Sequence, residues 1–261
     1  MDIKIALVGF VVGGLIGLTG MGGGSVMTPL MVLLLHMHPT VAVGTDLMYS
    51  SITKVVGSIQ HIYQKTVDFV AFRWLALGSV PGALLGAGVI GLLIHYYPAQ
   101  EVNTVVGRML GVVYILALAA MVWRWFARER GVAAAQEHDP AARPQRHWRL
   151  AGFGLVAGAV VGMTSVGSGS LYVALLGLLY PISAAKLVGT DILQGMLVTG
   201  VGGLAHLMFG NVDLGMVLML LCGSIPGILV GSRMTLKMPE WAVQTAIVMM
   251  LGWSSWNLLA K

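Results

Sequence analysis

Residues 43–46 read Val-Gly-Thr-Asp, and the same four residues return in the same order at 188–191. A shift of 145 positions superimposes the two halves of the chain, and over residues 43–86 it makes 16 of 44 positions identical without a gap. The matched residues include His61 with His206, Asp68 with Asp213, and Gly78-Ser-Val-Pro-Gly82 with Gly223-Ser-Ile-Pro-Gly227. Apolar bias alone does not align Asp, His and Pro together, so the chain contains two copies of one unit.

The composition around this repeat is that of a protein immersed in lipid. Hydrophobic residues make up 57% of the 261 positions and charged residues only 10%, with a mean hydropathy of +0.86. A soluble domain carries about a quarter charged residues. Nine of the 25 charged residues lie between Arg124 and Arg149. We expect no nucleic-acid partner, because the basic residues cluster in one linker without interleaved aromatic residues.

Each half contains five apolar segments, which predict an all-α polytopic membrane protein. The predicted segments are 3–19, 26–37, 42–62, 69–94 and 100–126 in the first half, and 150–164, 171–180, 185–208, 214–234 and 241–259 in the second. The second segment of each half is too short to cross a bilayer alone. The first two segments of each half are therefore half-helices, a re-entrant hairpin or two crossings. The predicted units are a repeat at 1–126, a cytoplasmic linker at 127–149 and a repeat at 150–261.

The basic residues predict that the second half inserts upside down. If the linker is cytoplasmic and each half has an odd number of crossings, 11 of the 15 Lys and Arg residues lie on the inner side. Lys4 and Lys261 lie outside, and Lys54 and Arg108 fall within segments. Inverted repeats with interrupted helices are typical of secondary transporters, which bind substrate where the broken helix ends meet.

Two Gly/Ser-rich breaks, Gly20–Ser25 and Ser165–Ser170, stand in equivalent places in the two halves. Glycines allow backbone N–H groups to approach a ligand, and a helix start adds a positive dipole end. The same glycines also allow helices to pack closely, and both interpretations stay open.

Three of the charged residues in apolar segments are candidates for a functional role. Asp46 and Asp191 each follow Gly-Thr, and they are either helix caps or part of an ion pathway. Lys54 lies in mid-segment, where it either neutralises an anion or extends towards the membrane surface. Asp68 and Asp213 are more simply caps of the fourth segments.

The candidate site gathers these residues. The predicted substrate-binding residues are Gly22, Gly23, Gly24, Ser25, Thr45, Asp46, Lys54, Gly167, Ser168, Gly169, Ser170, Thr190 and Asp191. His61 and His206 lie at segment ends without a Cys/His cluster, so we expect no metal site and no cofactor. Since a Gly-Lys-Ser/Thr signature is missing, we expect no ATP hydrolysis.

The chain resembles the TauE/SafE sulfite exporter family of membrane permeases at Gly20-Met-Gly-Gly-Gly-Ser25, Pro39-Thr-Val-Ala-Val-Gly-Thr-Asp46 and Ser51-Ile-Thr-Lys54. Gly78-Ser-Val-Pro-Gly82 and the second Gly189-Thr-Asp191 fit as well. The resemblance covers nearly the whole chain. It implies transport of sulfite, an organosulfonate or another sulfur oxyanion across the cell inner membrane, and seven to nine crossings. In the second break Ser165 and Ser168 replace glycines of the family pattern.

The sequence is compatible with three classes of function. The favoured class is a secondary transporter of a small anion, coupled to a proton or sodium gradient, in the bilayer as a monomer or homo-oligomer. An intramembrane enzyme acting on a lipid-borne substrate is the second class, although catalytic constellations are usually asymmetric and these candidates are duplicated. A passive anion channel is the third class.

Overall fold

The computed structural model describes residues 3–19, 24–129, 147–167, 169, 172, 176, 182–234 and 240–260. Within these residues the chain is helical and contains no strand, which confirms the predicted all-α class. The helices are α1 (Ile3–Thr19), α2 (Gly24–Leu33), α3 (Pro39–Tyr63), α4 (Phe69–Tyr96), α5 (Ala99–Glu129), α6 (His147–Thr164), α7 (Ala184–Met208), α8 (Leu214–Met234) and α9 (Glu240–Leu259). Each overlaps one predicted segment, and the remaining segment, 171–180, lies largely outside the described residues.

Several of these helices have the length and surface of membrane spans. By length and composition, three stretches of the described chain qualify: Phe69–Tyr96, Ala99–Ala119 and Ala185–Met208. Their outward residues are large and apolar, for example Leu77, Leu116 and Leu204. In contrast, α2 has 10 residues, or about 15 Å of helix against a hydrocarbon core of about 30 Å. The prediction of a short second helix in the first half is confirmed.

Aspartates cap two helices as predicted. Asp68 Oδ1 accepts hydrogen bonds from the backbone N–H groups of Val70 (3.0 Å) and Ala71 (3.1 Å) at the start of α4. Asp213 Oδ1 accepts from the N–H of Met216 (2.9 Å) at the start of α8. Each carboxylate satisfies amides that have no partner inside the helix.

The two halves pack through reciprocal contacts between non-equivalent helices. Helix α1 packs against α8, and α6, which repeats α1, packs against α4. A Cβ built on Gly13 would lie 2.6 Å from Cα of Ser224, and one built on Gly158 would lie 2.6 Å from Cα of Ser79. These two pairs are equivalent under the 145-residue shift with the partners exchanged. Such reciprocity is characteristic of a two-fold relation between the halves.

The equivalent helices α3 and α7 pack against each other in opposite directions. A Cβ on Gly44, near the start of α3, would meet the side chain of His206, near the end of α7. At the other end, a Cβ on Gly57 would lie 3.3 Å from the side chain of Ile192. Because the two equivalent helices run in opposite directions, the two-fold axis that relates the halves is perpendicular to the helix axes. This pair forms the centre of the molecule.

Hydrogen bonds repeat the same reciprocity at both ends of the central pair. Thr45 Oγ1 accepts from the N–H of Asp213 at 3.0 Å, and Thr190 Oγ1 accepts from the N–H of Asp68 at 2.9 Å. Each threonine thus bonds to the backbone of the aspartate that caps α4 or α8 in the other half.

Candidate functional site

A stripe of buried polar side chains runs along the inner face of α3. Asp46, Ser50, Lys54 and Ser58 follow one another at intervals of four residues, and all four are buried. Residues four apart lie above one another on a helix. The stripe therefore extends for about three turns through the centre of the molecule, between α3 and the helices that pack on it.

Asp46 lies at one end of the stripe, where parts of the chain next to both Gly-rich breaks meet. The hydroxyl of Thr28, on α2 after the first break, donates a hydrogen bond to Asp46 Oδ2. The hydroxyl of Ser50 donates to Asp46 Oδ1 at 3.1 Å. Ser165, a buried residue of the second break, lies close enough to influence the same carboxylate. The hydroxyls of Thr28 and Ser50 thus satisfy both oxygens of Asp46.

Asp191 is the repeat counterpart of Asp46, but its surroundings differ. It is 6% exposed, and its Oδ1 accepts no hydrogen bond from any described residue. Three residues around Asp46 have non-hydroxyl counterparts: Val173 for Thr28, Gly195 for Ser50 and Gly20 for Ser165. The duplication has therefore produced one carboxylate with two hydroxyl partners and one carboxylate without those partners.

Both aspartates lie well inside their helices, so their interpretation as helix caps is wrong. Helix α3 begins at Pro39 and α7 begins at Ala184, and each aspartate follows seven residues after that start. The cap of α7 is Ser183, whose hydroxyl accepts from the N–H of Lys186 at 3.4 Å. Buried acids within a membrane helix are costly and often functional, and the ion-pathway interpretation stays a prediction.

Lys54 is buried on the same face of α3 as Asp46, eight residues further along the helix. It is 8% exposed, and the negative charges of Asp191 and Asp46 both act on its ammonium group. A lysine that extended to the membrane surface would expose its ammonium group. That alternative is wrong for Lys54, because its positive charge stays among buried acids.

A second group of polar side chains adjoins Asp191. The side-chain amide of Gln194, one turn further along α7, donates to the hydroxyl of Ser79 on α4. Tyr172 is also buried, near both Ser79 and Asp191. Its hydroxyl and Oε1 of Gln194 have no hydrogen-bond partner among the described residues. We call Lys54, Ser79, Tyr172, Asp191 and Gln194 the central cluster.

The other predicted site residues are distributed as follows. Thr45 and Thr190 hold the two halves together, and their place in substrate binding stays a prediction. Gly24 and Ser25 begin α2, and Gly167 has a φ of 97°, a conformation that glycine adopts readily. Gly169 lies in a turn two residues later. Four predicted residues lie outside the described part of the chain: Gly22, Gly23, Ser168 and Ser170.

Sequence reasoning missed several polar residues of this region. The omitted residues are Thr28, Ser50, Ser79, Tyr172 and Gln194. Ser50 was recognisable, because it stands four residues after Asp46 and four before Lys54. Gln194 carried no such signal, since its repeat counterpart is Tyr49 and its partner Ser79 is 115 residues away.

Comparisons with known proteins identify a family model and several related membrane proteins. The family model described as sulfite exporter TauE/SafE matches residues 5–258. The chain is 36% identical over 265 residues to the probable membrane transporter protein YjnA of Bacillus subtilis, covering 97% of this chain and 98% of the relative. It is 26% identical to the probable membrane transporter protein YdhB of the same organism, covering 93% and 94%. It is 23% identical to the probable membrane transporter protein MJ0441 of Methanocaldococcus jannaschii, covering 80% and 73%. No solved structure matches the chain.

Proposed function

The chain belongs to the sulfite exporter TauE/SafE family, and from this premise we propose that it is a multi-pass transporter of a small anion in the cell inner membrane. The substrate that we propose is sulfite, an organosulfonate or another sulfur oxyanion. The observation that carries the proposal is the burial of Lys54 in the centre of the molecule, on the helix pair that also carries the buried polar residues Ser50, Asp191 and Gln194. Such a site offers one positive charge and several hydrogen-bond donors to an oxyanion.

The arrangement of the helices supports transport rather than catalysis or passive conduction. The antiparallel α3–α7 pair supports the inverted repeat predicted from the charges, which is the architecture of alternating-access transporters. The polar side chains of the central cluster are buried between packed helices in the described part of the chain. The names of the relatives also indicate transport rather than an enzymatic reaction.

The substrate class is tested by counterflow in proteoliposomes. Vesicles loaded with one anion exchange it for a labelled anion outside only if the protein carries both. We expect exchange of sulfite, thiosulfate or sulfoacetate, and little exchange of taurine, whose ammonium group would be repelled by Lys54. Sulfate, a dianion like thiosulfate, serves as the fully oxidised comparison. Exchange of none of these anions by folded protein would contradict the proposed function, and net flux without saturation would indicate a channel.

The inverted topology predicts that the 127–149 linker and the C-terminus lie on opposite sides of the membrane. In a background with Cys222→Ser, a single cysteine replaces either Ala134 in the linker or Ala260. A membrane-impermeant thiol reagent applied to intact cells should then label only the Ala260→Cys protein, because the linker is expected in the cytoplasm. After permeabilisation both proteins should react, which is the control for accessibility. Labelling of both variants in intact cells would contradict the inverted arrangement.

A further inference from the structure

Resting on the transport function proposed above, we infer that each anion crosses the membrane together with one proton. The proton binds the carboxylate of Asp191 when the anion binds the ammonium group of Lys54 and thereby removes the positive charge that stabilised Asp191. The duplication made Asp46 and Asp191 equivalent in sequence, but the groups around the two carboxylates differ. Asp46 keeps its hydroxyl partners in either condition, whereas Asp191 depends on a charge that the substrate also needs.

The charged and titratable groups around Asp191 are few. Helices α3, α4 and α6 pack against α7. Helix α3 contributes Lys54, the more distant Asp46, and His61, whose Nδ1 lies 2.8 Å from Thr66 Oγ1. Helix α4 is preceded by Asp68, already bonded to two amides, and carries the exposed Arg73. The charged residue of α6 whose side chain is described, Arg149, is exposed, and Tyr172 completes the set. Lys54 is therefore the cation that faces Asp191 within the described part of the chain.

The ammonium group of Lys54 cannot fully compensate the charges of both the Asp191 carboxylate and a bound substrate anion. While the site is empty of substrate, the positive charge of Lys54 stabilises the buried Asp191 carboxylate across the α3–α7 contact, where a Cβ on Gly57 would lie 3.3 Å from the side chain of Ile192. An oxyanion bound at Lys54 draws that charge away, and the Asp191 carboxylate is then left buried with an unpartnered Oδ1. An uncompensated buried carboxylate is strongly unfavourable.

A proton neutralises the uncompensated charge of Asp191 without adding a cation next to Lys54, whereas a metal cation does not. Transfer of a proton from water to an oxygen of Asp191 forms a neutral carboxylic acid, and its new O–H group can donate a hydrogen bond to the anion. A sodium ion in the same place would remain charged beside the ammonium group of Lys54 and would be repelled by it. The loaded site then contains Asp191 in its acid form, Lys54 and the anion, so a monoanion crosses with no net charge.

The test measures accumulation of methanesulfonate, a monoanion throughout the neutral range, in proteoliposomes with an alkaline interior. Because one proton accompanies each anion, a gradient of about one pH unit should sustain about tenfold accumulation. The membrane potential, imposed with potassium and valinomycin, should leave this ratio unchanged. Sodium-driven accumulation without a pH gradient would overturn the inference. Counterflow without accumulation would also overturn it while leaving the transport function intact, whereas absence of counterflow would remove both.

The variant Asp191→Asn should lower the accumulation ratio to about one, a readout that does not depend on the rate of exchange. The control Asp213→Asn makes the same chemical change at an exposed cap, and asparagine still caps helices, so the ratio should stay about tenfold. Accumulation by the Asp191→Asn protein at the control level would overturn the assignment. A second measurement needs no variant: wild-type protein in weakly buffered detergent solution should take up one proton for each methanesulfonate bound, and binding without proton uptake would overturn the inference.

Discussion

Lys54→Met should lower anion uptake into proteoliposomes by about hundredfold at subsaturating substrate. Methionine keeps an unbranched side chain of similar length in α3 but removes the charge that the oxyanion would meet. Loss of one partner from a buried ionic interaction costs about 3–5 kcal/mol, which is at least hundredfold in a binding constant. Initial rates of labelled sulfite or methanesulfonate uptake measure the effect, with Lys186→Met as the matched control because Lys186 is exposed at the start of α7.

Two further variants separate a role in binding from a role in folding. Lys54→Met also leaves Asp191 without its counter-charge, and the double variant Lys54→Met/Asp191→Asn removes that problem. The double variant should recover the elution profile and thermal stability of the folded protein but not its uptake. Lys54→Arg, which keeps the charge, should recover part of the uptake. Uptake at the control level by folded Lys54→Met protein would contradict a place for Lys54 in the anion site.

Gly158→Ala should destabilise the protein by about 2 kcal/mol, because a new methyl group would overlap backbone that cannot move aside. A Cβ at this position would lie 2.6 Å from Cα of Ser79 and 2.8 Å from its carbonyl carbon. Displacement of α4 would also disturb the hydrogen bond between Ser79 and Gln194. We therefore expect a lower midpoint in detergent thermal unfolding together with reduced anion exchange.

The matched substitutions lie in the same helix and in the other half. Gly152→Ala places its methyl group in open space, and the better helix propensity of alanine should leave stability unchanged or slightly raised. The methyl group of Gly13→Ala would overlap the backbone of Ser224 in the same way as that of Gly158→Ala overlaps the backbone of Ser79. We therefore expect a similar loss of stability. Equal stability of the Gly158→Ala and Gly152→Ala proteins would contradict the close contact of α4 with α6.

The boundaries of the helices were largely predictable, and so were two of their caps. Charged or turn-forming residues interrupt the apolar runs, and Asp68 and Asp213 stand directly before the fourth run of each half. The error at Asp46 and Asp191 has a physical reason. Hydropathy marks where a segment becomes strongly apolar, but α3 begins earlier, at Pro39, a residue that favours the first helical turn because its missing N–H is not needed there. Asp46 consequently lies seven residues into α3, and Asp191 lies equally deep in α7, which begins at Ala184.

The sequence by itself determined the duplication, the helical class and the special status of Lys54. These features follow from local regularities, because apolar length reports a helix in lipid and a lysine in an apolar segment is costly unless a partner compensates it. Only the tertiary structure decided that Thr28 and Ser50 bond to Asp46 while Asp191 faces Lys54, and that Gln194 bonds to Ser79. The two halves are nearly equivalent in sequence at the aspartates, so the difference between these carboxylates arises from side chains brought by other helices. Packing between helices distant in the chain sets those contacts, and no periodicity along a single helix encodes them.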